Sequence, residues 1–213
     1  EKIFRKTDMS QKTEFDVIVI GGGPGGYVTA IRAMQLGMSA AVVEREHLGG
    51  ICLNWGCIPT KALLRAAEIK HSLVHAADFG IEVSGEVTVN LQKVVERSRK
   101  VASSLSSGVA HLLKKNKVAV FDGTAKIAGK SGANWVISVA GANQTKLIGK
   151  HIIIATGARA RALSGIEPNG TSIVTYKDAM VPQKMPKSLI VVGSGAIGVE
   201  FASFYNDMGV EVT

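Results

Sequence analysis

The segment Asp16-Val-Ile-Val-Ile-Gly-Gly-Gly-Pro-Gly-Gly26 decides the fold prediction for this chain of 213 residues. Its first part, residues 16–20, is rich in β-branched apolar residues, as expected for a parallel strand buried on both faces. The glycines that follow at positions 21, 23 and 26 have the G-x-G-x-x-G spacing. Gly21 allows a tight turn, Gly23 lets the backbone approach a pyrophosphate, and Gly26 lets a helix pack on the strand. The segment therefore predicts a dinucleotide-binding turn.

The residues after this turn complete a βαβ unit. Residues 27–36 have a helical pattern, and residues 40–43 are a second apolar strand that ends at Glu44. Glu44 lies 23 positions after Gly21, close to the usual distance for a carboxylate that accepts a hydrogen bond from ribose. Pro24, inside the turn, and Arg45, next to the acid, are assigned to the same site. The helix N-terminus would supply N–H groups to the phosphates.

Composition and charge exclude several other classes of protein. The chain is 46% hydrophobic with 24 glycines, which is typical of an α/β protein. Its net charge of +8 comes from scattered basic residues, so we expect solvated faces and no nucleic-acid partner. No run of about 18 apolar residues predicts a membrane span. Residues 1–10 are polar, unlike a signal peptide, and Met9 is a candidate natural start, so residues 1–14 are predicted to be disordered or tag-like and the protein cytoplasmic.

A second fingerprint occurs near the end of the chain. The predicted strand 188–192 runs into Gly193, Gly195 and Gly198, which repeat the G-x-G-x-x-G spacing before a predicted helix 199–208 and a strand 210–213. The acid expected 23 positions after Gly193 would fall at position 216, beyond the last residue. The sequence therefore predicts two nucleotide sites in an N-terminal piece of a longer protein.

The middle of the chain predicts the remaining elements of the first domain. The predicted helices span 61–77 and 90–116, a strand spans 118–121, a small antiparallel meander covers 135–139 and 144–148, and a buried strand covers 151–155. The fold class is therefore α/β, with a parallel sheet plus a small antiparallel meander. The predicted domains are a first Rossmann-like domain at 15–182 and the start of a second one at 187–213, separated by a linker between Pro182 and Pro186.

The only two cysteines, Cys52 and Cys57, lie in the glycine-rich stretch after Glu44. Zinc sites use a C-x-x-C spacing and a second pair, so no metal is predicted. In a regular helix their Cα atoms would be about 8–9 Å apart, whereas a disulfide needs less than about 7 Å. We therefore expect a distorted turn, permitted by Gly49, Gly50 and Gly56, and a thiolate favoured by the helix N-terminus. Two buried structural cysteines are the alternative.

The wording Gly-Ile-Cys-Leu-Asn-Trp-Gly-Cys-Ile-Pro-Thr-Lys at 50–61 resembles the redox-active motif of the FAD-dependent pyridine-nucleotide–disulfide oxidoreductases, most closely that of dihydrolipoamide dehydrogenases. The resemblance implies that Cys52 exchanges with the substrate disulfide and that Cys57 lies against the flavin as the charge-transfer thiolate. It implies that Lys61 stabilises negative charge on the reduced ring and pairs with Glu200.

The same resemblance implies FAD at the first fingerprint and NAD at the second. Gly123 would contact the adenine of FAD, and the turn Ala155-Thr156-Gly157 would make a second contact with the cofactor. Gly49, Gly50 and the motif residues Cys52, Cys57 and Lys61 would also lie along FAD.

The implied activity is oxidation of dihydrolipoamide to lipoamide, with NAD as final acceptor. Lipoyl-bearing proteins of 2-oxoacid dehydrogenase or glycine-cleavage complexes would be the partners, and the complete protein would be a homodimer. None of the five histidines (47, 71, 75, 111 and 151) has the setting of the family's catalytic base, so the chain by itself is expected to be inactive. A related reductase of the glutathione or mercuric type, or an FAD-binding fragment without turnover, are the alternatives.

Overall fold

The computed structural model describes residues 12–142, 144–161 and 163–213. Most of the predicted tag-like N-terminus therefore lies outside the described residues, although the first strand already begins at Glu14. The chain divides into two compact units. The first unit contains the described residues up to Gly50 together with Ser107–Gly157, and the second contains Ile51–Ser106 with Ala158–Thr213.

A six-stranded sheet forms the first unit, with the strand order β3-β2-β1-β6-β5-β4. β3, β2, β1 and β6 run parallel, whereas β5 pairs antiparallel with both β6 and β4. The parallel sheet with an antiparallel meander therefore confirms the predicted architecture. The strands are β1 (Glu14–Ile20), β2 (Ala40–Glu44), β3 (Ala119–Asp122), β4 (Thr124–Ser131), β5 (Asn134–Ala140) and β6 (Thr145–Ile154).

Two details of the meander differ from the prediction. The predicted separate strands 144–148 and 151–155 are one continuous strand, β6, which pairs with β5 through its first half and with β1 through its second. Ile148 and Gly149 both pair on both sides, and a Cβ at Gly149 would lie 2.8 Å from the Ile18 side chain, which would have to shift. β4 was not predicted, because its polar residues are mostly exposed and lack a period-2 pattern.

Apolar residues from both faces of the strands fill the core of the first unit. The helix α1 (Pro24–Gln35) buries small residues, Gly26, Ala30 and Ala33, which allow a close approach to the sheet. Ile18 and Val19 in β1 are completely buried, as the β-branched run predicts. The cluster that holds the meander consists of Phe15, Ile18, Ala41, Val43, Phe121, Ile137, Val139 and Leu147.

Helices dominate the second unit. Its core lies between α3 and α6 and contains Leu63, Ala67, Met180, Phe201, Phe204, Tyr205 and Val210. A two-stranded parallel sheet, β7 with β8, completes it. No helix in the described part of the chain has the length and apolar character needed to cross a bilayer. The elements are α2 (Gly50–Trp55), α3 (Cys57–Val74), α4 (Leu91–Lys115, which continues into the first unit), α5 (Tyr176–Met180), β7 (Ser188–Leu189), α6 (Ala196–Asp207) and β8 (Glu211–Val212).

These units do not coincide with the predicted domains at 15–182 and 187–213. The short second βαβ segment cannot bury its own apolar faces. The α6 side chains Phe204 and Tyr205 are instead buried where α6 packs on α3. Residues 187–213 therefore share a core with the redox-motif helices. The functional domain boundaries stay a prediction.

Candidate functional site

The first fingerprint is a tight turn that tolerates no side chain at its two outer glycines. Gly21 has φ of 108°, and a Cβ there would lie 2.2 Å from the carbonyl oxygen of Ala155. A Cβ at Gly26 would lie 1.8 Å from the carbonyl oxygen of Gly21. Gly23 is the N-cap of α1 and Pro24 its first residue, a favourable helix start. The N-terminal N–H groups of α1 are therefore positioned as an anion site.

Glu44 ties the end of β2 to this turn. Its carboxylate accepts hydrogen bonds from the Gly22 N–H at 2.6 Å and from the Glu46 N–H at 2.7 Å, one at each oxygen. Because a carboxylate oxygen has two lone pairs, each still has capacity for a ribose hydroxyl. The acid at the predicted distance is thus oriented by backbone groups toward the fingerprint.

Five of the predicted cofactor residues line one cavity at the carboxyl ends of the strands. They are Gly21, Glu44, Arg45, Gly123 and Thr156, together with Ile20, Val43, Thr124 and Ala125. The cavity lies where β1 borders β2 on one side and β6 on the other, which is the topological switch point at which doubly wound sheets bind nucleotides.

The remaining predicted residues of this site border the same turn. Gly49 donates to the Gly22 carbonyl at 2.8 Å, and a Cβ at Gly50 would lie 2.8 Å from the Cα of Gly23. Ala155 donates its N–H to the Ile20 carbonyl, and Gly157 has φ of 72°. Such contacts leave backbone, rather than side chains, next to the helix N-terminus, which fits the pyrophosphate of a dinucleotide such as FAD.

The two cysteines lie on either side of a corner between α2 and α3, which we call the redox corner (Cys52–Cys57). α2 ends at Trp55 and α3 begins at Cys57, so the predicted distorted turn is confirmed. A Cβ at Gly56 would lie 3.0 Å from the Ile51 carbonyl oxygen and 3.3 Å from the Cα of Cys52. Glycine at 56 therefore lets the chain fold back over Cys52.

Both cysteines are thiols in this structure, and Cys57 is the more exposed of the two. Burial, followed by the hydrogen bond and charge of Cys57, raises the pKa of Cys52 to about 11, while the Cys57 N–H and Lys61 lower it less. The expectation of a favoured thiolate is therefore wrong for Cys52. A helix of six residues has too few aligned peptides to offset burial and a neighbouring thiol.

Lys61 and Glu200 form the predicted ion pair. The ammonium on α3 donates to the Glu200 carboxylate on α6, two residues 139 positions apart in sequence. That hydrogen bond is the largest cause of the raised pKa of Lys61. The negative charges of Glu200 and the two cysteines raise it further. One turn after Cys57, the chain therefore carries a positive charge anchored by α6.

α4 supports the redox corner through residues that the sequence analysis did not identify. The guanidinium carbon of Arg99 lies 4.1 Å from the centroid of the Trp55 ring. Ser106 donates its hydroxyl to the Asn54 side chain at 3.0 Å. Arg99 and Ser106 belong to a helix of 25 residues that contains several other basic residues and serines, and no pattern in the sequence distinguishes these two.

The second fingerprint has the predicted local form. Gly193 has φ of 113°, Gly195 is the N-cap of α6, and a Cβ at Gly198 would lie 2.4 Å from the Gly193 carbonyl oxygen. The strand before it is shorter than predicted, because β7 pairs only through Ser188 and Leu189. A nucleotide at this turn stays a prediction.

Two of the five histidines pack against each other on α3. His71 and His75 stack on α3 with ring centroids 4.2 Å apart, and His71 Nδ1 lies 3.6 Å from Asp207. In the described residues, no three histidine, cysteine or acidic side chains come together as a metal site would require.

The fold and the two glycine turns with an intervening cysteine corner define a class of protein. Residues 15–213 match the family described as pyridine nucleotide-disulphide oxidoreductase, and the chain belongs to that family. This membership supports FAD as a cofactor.

Within the family, the chain is similar to dihydrolipoyl dehydrogenases. It is 55% identical to that of Rhizobium etli over 93% of this chain and 44% of the relative. It is 44% identical to the mitochondrial enzyme of Rattus norvegicus over 98% of this chain and 41% of the relative. The chain thus spans less than half the length of these curated relatives.

Solved structures have the same fold. LpdA from Mycobacterium tuberculosis superposes with a TM-score of 0.83 and 25% identity, over 94% of this chain and 44% of that one. The HOCl-induced flavoprotein disulfide reductase RclA from Escherichia coli has a TM-score of 0.74 and 26% identity, over 92% of this chain and 41% of that one.

Proposed function

We propose that the complete protein is a dihydrolipoyl dehydrogenase, which oxidises dihydrolipoamide to lipoamide through Cys52 and Cys57 and passes the electrons by way of FAD to NAD. The observation that carries this proposal is the redox corner, where the chain folds back at Gly56 and the Cys52 and Cys57 side chains are hydrogen-bonded, one turn before the Lys61–Glu200 ion pair. The identity of 55% to a dihydrolipoyl dehydrogenase supports the choice of substrate.

The proposed chemistry begins with thiol–disulfide exchange at the oxidised pair. A thiolate of dihydrolipoamide attacks the Cys52 sulfur, the bond between Cys52 and Cys57 breaks, and Cys57 leaves as a thiolate. The second substrate thiolate then attacks the mixed disulfide, which releases lipoamide and Cys52. Because the pKa of Cys52 is about 11, its sulfur takes up a proton at neutral pH. The pair thereby gains the two electrons that the substrate loses.

The choice of Cys52 as the exchange thiol rests on the family resemblance, because Cys57 is the more exposed sulfur. Bound FAD would supply the two-electron carrier between the dithiol and NAD. Gly21, Glu44, Gly123 and Thr156 would hold it in the first unit. The net reaction converts dihydrolipoamide and NAD⁺ into lipoamide, NADH and a proton.

Lys61 is proposed to place a fixed positive charge beside the cofactor. Its ion pair with Glu200 and its raised pKa keep the ammonium protonated through the neutral range. A cation that does not titrate favours negative charge on a neighbouring group. The use of NAD, the homodimer, the lipoyl-bearing partners and a cytoplasmic location remain part of this proposal.

A disulfide reductase acting on another substrate is the second candidate. The likeness to RclA, a flavoprotein disulfide reductase, favours it, because the same corner could accept electrons from a nicotinamide and pass them to a disulfide. The direction of electron flow and the substrate distinguish the two candidates.

Turnover of the complete, FAD-loaded protein tests the proposal. Dihydrolipoamide and NAD are added, and NADH is followed by its absorbance. We expect turnover that Cys57→Ser lowers on the order of 10³-fold or more, because the exchange then lacks its leaving thiolate.

Two control measurements distinguish a loss of thiol–disulfide exchange from misfolding of this variant. Cys57→Ser should still bind FAD and still oxidise NADH with an artificial acceptor that takes electrons directly from the flavin. Absence of lipoamide turnover in wild type, with FAD bound and with activity on glutathione disulfide, would contradict the choice of substrate.

A further inference from the structure

Each of the four residues between the cysteines has its own anchor. Leu53 is buried, Asn54 accepts a hydrogen bond from Ser106, and Gly56 lies against Ile51. Trp55, the last residue of α2, packs against the buried cluster of the second unit, and a charged side chain also lies over its ring.

Arg99 covers the Trp55 ring in a defined setting. Its guanidinium carbon lies 4.1 Å from the ring centroid, and its Nη1 lies 3.4 Å from the sulfur of Met180, which is completely buried. Lys177 Nζ lies 5.7 Å from the same centroid. Arginine stacks on aromatic faces through its planar guanidinium, and partial desolvation strengthens this attraction. Burial lowers the pKa of Arg99, which is consistent with that setting.

We propose that Arg99 is a positioning residue for the redox pair: by holding Trp55 it keeps the corner closed, so that the Cys52 and Cys57 sulfurs stay within reach of each other. The proposal rests on the proposed function only in requiring that this pair forms a disulfide.

The physical argument concerns the effective concentration of one thiol at the other. Two thiols on a rigid corner meet more often than two on a loose one, so rigidity favours the disulfide over the dithiol. Trp55 is only two residues from Cys57 and three from Cys52. Loss of the Arg99 stack would loosen the end of α2, which the packing of Trp55 on the core still holds, and would shift the pair toward the dithiol.

An electrostatic role for Arg99 predicts the opposite sign. A cation near the pair stabilises thiolates and so favours the reduced form. Removal of Arg99 would then shift the equilibrium toward the disulfide. The direction of the shift therefore separates positioning from a simple effect of charge.

The test measures the thiol–disulfide equilibrium of the pair in the complete protein. The protein is equilibrated in buffers with known ratios of reduced to oxidised dithiothreitol, then alkylated and digested with trypsin. Cleavage after Arg45 and Lys61 releases one peptide that contains both cysteines, and its mass reports the dithiol fraction. For Arg99→Ala we expect a shift toward the dithiol of about three- to tenfold in the equilibrium constant.

Three further variants complete the experiment. Lys100→Ala removes one positive charge from the exposed side of α4 and should leave the equilibrium unchanged. Arg99→Lys keeps the charge without the planar stack and should fall between wild type and Arg99→Ala. In a Trp55→Leu background, Arg99→Ala should add no further shift, because the two residues act as a unit.

The results separate the inference from the function on which it rests. If wild type forms no Cys52–Cys57 disulfide in any buffer, the proposed function itself fails. If the disulfide forms, the inference is overturned by an Arg99→Ala shift equal to that of Lys100→Ala, by a shift toward the disulfide, or by additive effects in the Trp55→Leu background. Should Arg99→Ala not fold, Arg99→Gln, which retains most of the side-chain volume, takes its place in the same comparison.

Discussion

Gly21 and Gly193 begin two glycine turns whose backbones are nearly the same. Their φ angles are 108° and 113°, and the N-caps that follow, Gly23 and Gly195, have φ of −73° and −72°. In both turns the third glycine approaches the carbonyl oxygen of the first. The spacing of glycines thus produces the same local turn twice.

The surroundings of the two turns differ. A Cβ at Gly21 would strike the Ala155 carbonyl, whereas a Cβ at Gly193 would meet no atom within 4 Å among the described residues. Ile18 and Val19 before the first turn are 0% exposed, whereas Ile190 and Val192 before the second are 76% and 64% exposed. Local sequence therefore determines the turn, and within the described residues only the first turn is enclosed by neighbouring strands.

Substitution of the first glycine of each turn should give the largest difference between them. Gly21→Ala combines a left-handed backbone with a clash against backbone, and we expect a loss of unfolding free energy on the order of 3 kcal/mol or more. Gly193→Ala has the backbone strain alone, and should cost about 1–2 kcal/mol. Urea unfolding of the 213-residue chain, followed by circular dichroism, measures both. Equal losses would mean that enclosure is unimportant.

Removal of Glu44 tests how much its carboxylate contributes to the first turn, where it accepts hydrogen bonds from two backbone N–H groups. Glu44→Ala leaves the Gly22 and Glu46 N–H groups without their carboxylate, so we expect about 1–2 kcal/mol lower stability. Affinity of the complete apoprotein for FAD, followed by flavin fluorescence, should fall on the order of tenfold or more. Glu46→Ala removes a neighbouring carboxylate but keeps the backbone donor, and should have little effect. Similar affinities for the two variants would exclude a special role for Glu44.

The smallest effect is expected at Asp16, which lies five residues before Gly21. The corresponding position, five residues before Gly193, is occupied by Ser188. The Lys150 ammonium, then the Ser39 N–H and hydroxyl, hold the pKa of Asp16 well below its usual range. Because the folded pKa is the lower one, this stabilisation is present above about pH 4 and is lost as the pH falls toward the folded pKa. Asp16→Ser should therefore slightly lower the melting temperature at pH 7.

Melting temperatures of the chain between pH 7 and pH 3 test this prediction. The difference in melting temperature between wild type and Asp16→Ser should shrink on acidification. Lys150→Ala should likewise make the melting temperature less dependent on pH, because it removes the largest cause of the lowered pKa of Asp16. A difference that stays constant with pH would show that the Asp16 charge does not stabilise the fold.

Elements with a strong local pattern were predicted well. The β-branched run of β1, the helix after each glycine turn and the parallel sheet with a meander all follow from patterns of a few residues. Elements that depend on partners were not: β4 is polar and exposed, and β6 is one strand that pairs first with β5 and then with β1, with Ile148 and Gly149 paired to both. The Lys61–Glu200 pair came from family resemblance, not from a pattern in the chain.

The sequence alone determined the two glycine turns, the corner that Gly56 permits between the cysteines, and membership of an oxidoreductase family, because each depends on residues close together in the chain. Only the tertiary structure decided the raised pKa of Cys52, the stack of Arg99 on Trp55 and the shared core of α3 and α6. Burial and charge at a given atom depend on residues far apart in sequence, and local patterns carry no information about which of them meet.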